Sequence, residues 1–488
     1  MTMGPGAAPA QAASHAGRHA GFARSVTPAG TLTLVRGGRG RPLPDGFLGL
    51  SFEFRALEDY AGSSPAALDR PFLQLVRDIA PGQSPVLRIG GDSTDWTWWP
   101  VRGMRRPGGA RFDLGTEWVN VARAVVQALG ARLILGVNFE ADSRRLARAM
   151  ARGIVDGIGA RSIGALELGN EPELYSSFNW YRTPSGQGIR GRAAGYNVSS
   201  YLRDYAGIAA SLPRVPLAGP SSGAAAYLDY LGNFLRRNRR VSLVTVHAYP
   251  LKHCTHADHP SDTQLLAPST SRSLTAQLGV YTAVAHANGR PLRVDELNSV
   301  SCGGYAPVTY TFGAALWALG QLFELDAVGV DGVNFHTVPN TTQHLIAVND
   351  AGGHWTAAVL PEYYGLLAFA QAAPAGSRLA RLAGALPAGV SAYATVGPGR
   401  SMHYVLVNAG AARATVRLVP PWAGATARLS RLSAPGPEST GAVTLGGQSI
   451  DPTTGALSGR SKITTLAAAA GAFVVALPGY SAAIVSVP

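Results

Sequence analysis

The chain has 488 residues, a formal net charge of +13 and 46% hydrophobic residues. A chain of this length is longer than one ordinary hydrophobic core accommodates, which predicts two domains, or one large barrel with an accessory module. The basic residues are scattered, without a dense run that alternates with aromatic residues, so no nucleic-acid partner is expected. No run of uncharged apolar residues is long enough to span a membrane, so no membrane partner is expected.

The N-terminal segment and the two cysteines bear on cellular location. Residues 1–30 are rich in Ala, Gly, Pro and Ser and lack the apolar segment of a signal peptide, which predicts a disordered leader or linker. Cys254 and Cys302 each follow a predicted strand, and a disulfide in a secreted protein is favoured over free thiols. Metal binding is the alternative, although the spacing of the nearby histidines matches no standard zinc pattern. These histidines are His247, His253, His256 and His259.

The central region, residues 46–375, repeats a short apolar strand, a loop and an amphipathic helix. Near-continuous apolar strands that alternate with helices are typical of a parallel sheet, and eight such units predict a (β/α)8 barrel. An open dinucleotide-binding sheet is disfavoured, because the glycine-rich RGGRGR at 36–41 opens no helix. The predicted strands are LGLSFEF, PVLRIGG, ARLILGV, SIGALELG, VPLAGP, SLVTVHAYP, PLRVDELN and DGVNFHTV, and helices are predicted at 117–130, 143–159, 309–326 and 361–372.

The last quarter of the chain has a different hydrophobic pattern. From residue 376 to 488 apolar and polar residues alternate at period two between Gly, Pro and Asn turns, which predicts a β-sandwich. The strand-like segment within residues 31–45 is expected to complete this accessory domain, so the chain would begin and end in it.

Carboxylates follow two of the predicted barrel strands. In a (β/α)8 barrel, polar groups at the C-terminal ends of strands face the active site. Glu171 follows the fourth strand in ALELGNEPEL, and Glu296 ends the seventh in PLRVDELNS. Two carboxylates across a barrel mouth meet the requirement of glycoside hydrolysis, where one protonates the leaving oxygen and the other attacks the anomeric carbon or activates water. A solvated surface charge is the alternative for either residue alone, and their pairing argues against it.

Several motifs resemble known glycosidases. LGNEPELY and VDELNSVSCGG resemble the acid/base and nucleophile signatures of the clan A retaining glycosidases, and LRIGGDSTDWTWW, VHAYPLKHC and VLPEYYGLLAFAQA resemble glycoside hydrolase family 79, the heparanase and β-glucuronidase family. The resemblance implies that Glu171 is the general acid/base and Glu296 the nucleophile of a retaining reaction. It also implies that Asn170 hydrogen-bonds the sugar 2-hydroxyl, and that no metal or organic cofactor is needed.

Further residues at the predicted mouth are candidates for binding and support. Arg88 and Tyr249 end the second and sixth strands and are expected to donate hydrogen bonds to the nucleophile, with a structural ion pair as the alternative for Arg88. His247 is either a substrate contact or a core histidine. The resemblance places further substrate contacts at Glu53, Asp92, Gly303 and Gly304, the glycines offering N–H groups to a uronate carboxylate.

One departure from the family pattern concerns the uronate carboxylate. Related β-glucuronidases place a tyrosine a few residues after the nucleophile, where this chain has Ser301 and Cys302, and Tyr305 is the nearest substitute. We expect Cys254 and Cys302 to pair, because the strands that precede them are neighbours in the barrel.

The sequence therefore predicts a secreted, monomeric, exo-acting retaining β-glucuronidase that cleaves terminal β-linked glucuronic acid, with or without a 4-O-methyl group, from a carbohydrate substrate. A clan A β-glycosidase for a neutral sugar and a non-catalytic glycan-binding protein are the alternatives.

Overall fold

The computed structural model describes residues 30–420, 422 and 426–488. The leader predicted for residues 1–30 lies outside the described residues, except for Gly30, which begins the first strand. Among the helices in the described ranges, none combines the length and apolar composition needed to cross a membrane.

Strands and helices are numbered along the chain. The strands are β1 Gly30–Pro42, β2 Leu48–Glu53, β3 Val86–Gly90, β4 Thr97–Trp98, β5 Phe112–Asp113, β6 Arg132–Val137, β7 Ile163–Leu168, β8 Tyr181–Arg182, β9 Gly188–Ile189, β10 Leu217–Ser222, β11 Val241–Ala248, β12 Leu251–Lys252, β13 Leu292–Leu297, β14 Val300–Ser301, β15 Gly332–His336, β16 Ile346–Asp350, β17 Trp355–Val359, β18 Arg378–Gly384, β19 Val390–Val396, β20 Met402–Asn408, β21 Ala414–Val419, β22 Thr426–Ser433, β23 Thr444–Leu445, β24 Ser449–Ile450, β25 Leu457–Ser458, β26 Thr464–Ala467, β27 Phe473–Leu477 and β28 Ser481–Val487.

The α-helices are α1 Ala56–Ala61, α2 Arg70–Asp78, α3 Ser93–Trp96, α4 Thr116–Leu129, α5 Arg144–Ile158, α6 Val198–Ala209, α7 Ala225–Leu228, α8 Leu231–Arg237, α9 Asp262–Leu265, α10 Pro268–Ala287, α11 Phe312–Ala327 and α12 Pro361–Ala372. Short 3-10 helices span Ala160–Ser162, Pro172–Leu174, Val308–Tyr310 and Pro398–Arg400.

Eight parallel strands close into a barrel, which confirms the predicted fold. Their order around the barrel is β2, β3, β6, β7, β10, β11, β13 and β15, and β15 pairs with β2 to close it. The strands are short and almost wholly buried, as expected when side chains fill the barrel on one face and contact the helical layer on the other.

The sheet domain is built from both ends of the chain, as the sequence predicted. One ten-stranded sheet contains β1, which pairs antiparallel with β18 and parallel with β21. The sheet has a hydrophobic core separate from that of the barrel, to which Leu32, Tyr404, Val416, Phe473 and Val485 contribute. We propose to divide the chain into 31–45 with 376–488 for this domain and 46–375 for the barrel.

Two helices are buried on nearly every face because they lie between the domains. α11 and α12 pack against each other, and α12 also contacts β20, β22, β23 and β28 of the sheet. Phe323 of α11 stacks on Tyr393 of β19, with ring centroids 4.9 Å apart. This arrangement explains why these helices lack the polar face that is typical of a barrel helix.

Candidate active site

The two carboxylates singled out from the sequence meet at the C-terminal mouth of the barrel. Glu296 lies on β13, and Glu171 follows β7 in the left-handed region at φ 46°, with its N–H donating to the Ser221 carbonyl at 2.8 Å. A carboxylate oxygen of Glu171 and one of Glu296 lie within 4.8 Å of each other. The Glu171 side chain is 26% exposed and that of Glu296 10%, so Glu171 is the more accessible of the two.

Glu296 is held as a carboxylate. Arg88 Nη1 donates to Glu296 Oε2 at 2.7 Å, and Tyr249 Oη donates to Oε1 at 2.7 Å. Burial alone favours the neutral acid, but the positive charges of His247 and Arg88 and the Tyr249 hydroxyl outweigh it and hold the pKa of Glu296 well below its usual range. Both oxygens are therefore directed by donors, as a nucleophile requires.

Arg88 connects the barrel interior with the site. Its side chain is fully buried, and Nε donates to Glu167 at 2.9 Å while Nη2 donates to Asn170 Oδ1 at 2.8 Å. Asp295 lies 3.6 Å from Nε, and burial and the Glu167 charge raise the pKa of Asp295 well above its usual range. Arg88 thus combines the structural ion pair and the support of Glu296 that the sequence left open.

We predict that Arg88→Met destabilises the protein by about 3–5 kcal/mol near pH 7, because the carboxylates of Glu167 and Glu296 lose a buried cation. Arg88 helps to hold the pKa of both groups below the ordinary value of 4.5, so the stability they contribute is present above that pH and lost as the pH falls. The deficit of the variant should therefore shrink below about pH 4.

Urea unfolding at several pH values measures this deficit. Arg55→Met is the matched control, since Arg55 is 80% exposed and 3.9 Å from Asp59, and should cost about 0–1 kcal/mol. A deficit for Arg88→Met that does not change with pH would contradict the assignment.

His247, on β11, contacts the Glu171 carboxylate. Its Nδ1 lies 3.0 Å from Glu171 Oε1 and its Nε2 lies 3.2 Å from Ser221 Oγ. Burial disfavours the imidazolium, but the carboxylates of Glu296 and Glu171 raise the pKa of His247 to about 10. His247 therefore stores a proton in hydrogen-bond contact with Glu171.

Asn170 is fixed from several sides. Its Oδ1 accepts from Arg88, its Nδ2 donates to Asp92 at 3.3 Å and its backbone N–H donates to Asp95 Oδ2 at 3.0 Å. Asp92 itself is exposed at the mouth. Asp95 also accepts from the Tyr175 hydroxyl at 2.6 Å and is a supporting residue that the sequence reasoning missed.

Glu53 ends β2, which lies between β15 and β3 in the barrel. Its Oε2 accepts from the Ser93 N–H at 2.7 Å. A side chain at position 91 would collide with Oε1, so glycine is required there. Burial and the Asp92 carboxylate raise the pKa of Glu53 to about 8, so it is largely protonated at neutral pH. Its Oε1 faces His336 Nε2 at 3.8 Å.

His336, the last residue of β15, is a site residue that sequence reasoning missed. Arg88 Nη1, which only donates, contacts Ser51 Oγ at 3.3 Å, and Ser51 Oγ lies 3.1 Å from His336 Nδ1. The Ser51 hydroxyl therefore directs its proton to Nδ1, and the Nε2 of neutral His336 carries the ring proton. Burial lowers the pKa of His336, in agreement with a neutral ring. Its position at the end of the eighth predicted strand was the available signal.

The turn after the seventh barrel strand contains the two predicted glycines. Gly303 and Gly304 have φ values of 86° and 82°, and a Cβ on Gly304 would lie 2.6 Å from the Thr342 carbonyl oxygen. Cys254 and Cys302 form a disulfide with their Cα atoms 5.2 Å apart, which joins this turn to the segment after β11.

Tyr305 is the nearest tyrosine to the position at which the sequence pattern predicts a contact with the uronate carboxylate. It packs against the ring of His253, and the two ring centroids are 4.3 Å apart. Tyr305 is half-buried there.

Glu173, the third glutamate of ALELGNEPEL, has a local structural role. Its Oε1 accepts from Ser222 Oγ at 2.7 Å and from the N–H groups of Gly223 and Ala224 at 3.2 Å. Burial and the Glu171 charge raise the pKa of Glu173 to about 7. Glu173 therefore ties the loop after β7 to the loop after β10.

The donor atoms of Glu171, His247 and Glu296 lie close enough together to surround a cation. However, Nδ1 of His247 is engaged by Glu171, and the Glu296 oxygens are engaged by Arg88 and Tyr249. Two neighbouring positive charges also oppose cation binding. The arrangement suits proton transfer and nucleophilic attack better than metal binding.

Comparisons with known proteins agree with this architecture. Residues 392–484 match the family model of the glycosyl hydrolase family 79 C-terminal beta domain. The fold is similar to that of a 4-O-α-L-rhamnosyl-β-D-glucuronidase from Fusarium oxysporum 12S, solved as a Rha-GlcA complex, with TM-score 0.74 and 20% identity over 93% of this chain and 100% of that one. No sequence among curated proteins matches the chain.

Two arabinofuranosidases have the same fold. A family 51 α-L-arabinofuranosidase from Bifidobacterium longum gives TM-score 0.66 and 17% identity, over 95% of this chain and 100% of that one. A family 51 arabinofuranosidase from Xanthomonas axonopodis pv. citri gives TM-score 0.65 and 14% identity, over 94% and 99%. The match at residues 392–484 therefore concerns the C-terminal domain, and the likeness to the three solved structures, each under 25% identical, concerns the fold.

Proposed function

We propose that the protein is a retaining glycosidase that removes terminal β-linked glucuronic acid by double displacement. The observation that carries this proposal is the approach of Glu171 and Glu296 to within 4.8 Å across the barrel mouth. Retaining glycosidases place their two carboxyl groups about 5–5.5 Å apart, whereas inverting enzymes separate them by about 6.5–9.5 Å to admit a water molecule.

In the first step, a Glu296 oxygen attacks the anomeric carbon while Glu171 protonates the departing glycosidic oxygen. The bond from carbon to the leaving group breaks, and a covalent glycosyl ester with Glu296 forms. The proton stored on His247, 3.0 Å from Glu171 Oε1, is available to Glu171 for this transfer. Arg88 and Tyr249 hold Glu296 in place and release it as its negative charge falls.

In the second step, Glu171 takes a proton from water, and the resulting hydroxide attacks the anomeric carbon and frees Glu296. Asn170 is the proposed contact of the sugar 2-hydroxyl, because Arg88 and Asp92 fix its amide beside both carboxylates. This contact strengthens as positive charge develops on the sugar ring.

Glucuronic acid is proposed as the sugar on three grounds. The Fusarium enzyme of similar fold is a β-D-glucuronidase. The turn at Gly303 and Gly304 offers backbone N–H groups that suit a carboxylate. The net charge of +13 also favours an anionic substrate.

A neutral sugar is the second candidate, favoured by the similarity of the fold to the arabinofuranosidases. Hydrolysis of 4-nitrophenyl β-glucuronide, β-glucoside and β-xyloside separates the two. We expect the glucuronide to give the highest kcat/KM, and preference for either neutral glycoside would refute the uronate proposal. We also propose that the protein is a monomer, and that it acts outside the cell because its disulfide is exposed and suits an oxidising compartment.

We predict that His336 and Glu53 together contact one hydroxyl of the bound sugar, since the Nε2 donor of His336 lies 3.8 Å from the Glu53 carboxyl and a hydroxyl can accept from the ring while it hydrogen-bonds the carboxyl. His336→Asn keeps a partner for Ser51 but removes the Nε2 donor, and should lower kcat/KM by about tenfold. His336→Gln places an amide N–H near the Nε2 position and should restore most of the loss. Equal activities of the two variants would contradict the prediction.

A further inference from the structure

We infer that the Cys254–Cys302 disulfide is a positioning element for recognition of the substrate carboxylate, which it achieves by holding the turn Cys302–Tyr305 in its donor conformation. This inference rests on the proposed function, because it concerns how that site would select a uronate.

The disulfide joins two segments that leave neighbouring barrel strands. Leu251 and Lys252 of β12 pair in parallel with Val300 and Ser301 of β14, a contact only two residues long. Both cysteines lie at the exposed end of this pairing. Val300 is buried, but a ladder of only two residues supplies few hydrogen bonds, so the covalent link adds a strong constraint on the turn.

The turn itself has an unfavourable backbone conformation. Cys302, Gly303 and Gly304 are consecutive left-handed residues, with φ values of 59°, 86° and 82°. Glycine adopts this conformation freely, but a residue with a Cβ pays about 1–2 kcal/mol. Without its link to Cys254, Cys302 would favour a different backbone conformation, and the glycines that follow would be free to move.

The conformation leaves hydrogen-bond donors unused. Within the described ranges, the N–H groups of Gly303, Gly304 and Tyr305 donate to no protein acceptor. Gly303 has open space where a side chain would be, while Gly304 is close against the Thr342 carbonyl. Successive free N–H groups of this kind suit an anionic oxygen, and a carboxylate on the bound sugar is the anion that the proposed substrate supplies.

The nucleophile does not depend on the disulfide. Glu296 lies within β13 and is fixed by Arg88 of β3 and by Tyr249, which directly follows β11 and precedes the β12–β14 pairing. Loss of the disulfide should therefore weaken carboxylate binding while leaving the chemical step nearly unchanged.

The double variant Cys254→Ser/Cys302→Ser tests this separation. For 4-nitrophenyl β-glucuronide we expect KM to rise about tenfold with kcat within about threefold, since several charge-assisted hydrogen bonds are weakened in binding. For the β-glucoside, which has no carboxylate, kcat/KM should stay within about twofold of the wild type. Lys252→Ser, an exposed change in the same segment, is the control and should alter neither substrate.

Each other outcome counts against the inference. An equal loss on both substrates would show a general structural role, and unchanged KM for the glucuronide would show no role. If labelling under denaturing and non-reducing conditions finds two free thiols in the wild type, the disulfide is absent and the inference is wrong. A wild type that hydrolyses the glucoside but not the glucuronide overturns the proposed function, and the inference with it.

Discussion

Glu296→Ala is expected to lower kcat by about 10⁴-fold or more, because the covalent intermediate can no longer form. The change also leaves Arg88 Nη1 and the Tyr249 hydroxyl without the carboxylate they contact at 2.7 Å. Added azide should partly restore turnover, because a small anion can occupy the vacated space and attack the anomeric carbon from the same face. The product would then be the α-glycosyl azide, identified by NMR.

Glu173→Gln is the matched control for this variant. It removes a carboxylate two residues from Glu171 whose contacts are the Ser222 hydroxyl and two backbone N–H groups of the next loop. We expect kcat within about fivefold of the wild type, since Glu173 contacts no reacting group. Activity of Glu296→Ala above about 1% of the wild type would contradict the assignment of the nucleophile.

Glu171→Ala is expected to have an effect that depends on the leaving group. A sugar or alkyl alcohol leaves poorly without a proton, so kcat/KM for such substrates should fall by about 10²–10⁴-fold. Dinitrophenol leaves without protonation, so kcat/KM for the 2,4-dinitrophenyl β-glucuronide should change by less than about tenfold. Azide should accelerate the second step and give the β-glycosyl azide, the opposite anomer to that from Glu296→Ala.

The pH profile gives a second readout for Glu171→Ala. The wild type should lose activity at high pH as the proton on His247 is lost, because the Glu296 and Glu171 carboxylates outweigh burial and raise the pKa of His247 to about 10. The variant lacks this proton transfer, so its alkaline limb should disappear. Uniform losses for all leaving groups, with an unchanged alkaline limb, would contradict the role of Glu171 as acid/base.

Much of the barrel could be predicted because its signals are local. Each strand is a short apolar run, and Glu171 and Glu296 stand where the apolar run ends. Parallel strands align their carboxyl ends at one face, so two carboxylates far apart in sequence could be expected to meet. The position of Glu167 was likewise open to reasoning, because a carboxylate inside a barrel requires a cation, and Arg88 supplies it.

The supporting residues could not be predicted because they are ordinary polar residues without a local pattern. Ser51 and His336 become neighbours only when β15 pairs with β2 to close the barrel. Asp95 lies in a short helix after β3 and acquires its role from the backbone N–H groups of Phe139 and Asn170, which follow β6 and β7. Such contacts depend on three-dimensional closure, which periodicity does not encode.

The most direct test of the central claim is covalent labelling of the nucleophile. A cyclophellitol aziridine with the configuration of glucuronic acid should modify the wild-type protein at a single residue, Glu296, as mapped by mass spectrometry of its peptides. Glu296→Ala should take up no label. Labelling at another carboxylate, or labelling of Glu296 by the glucose-configured probe but not by the uronic acid probe, would contradict the account.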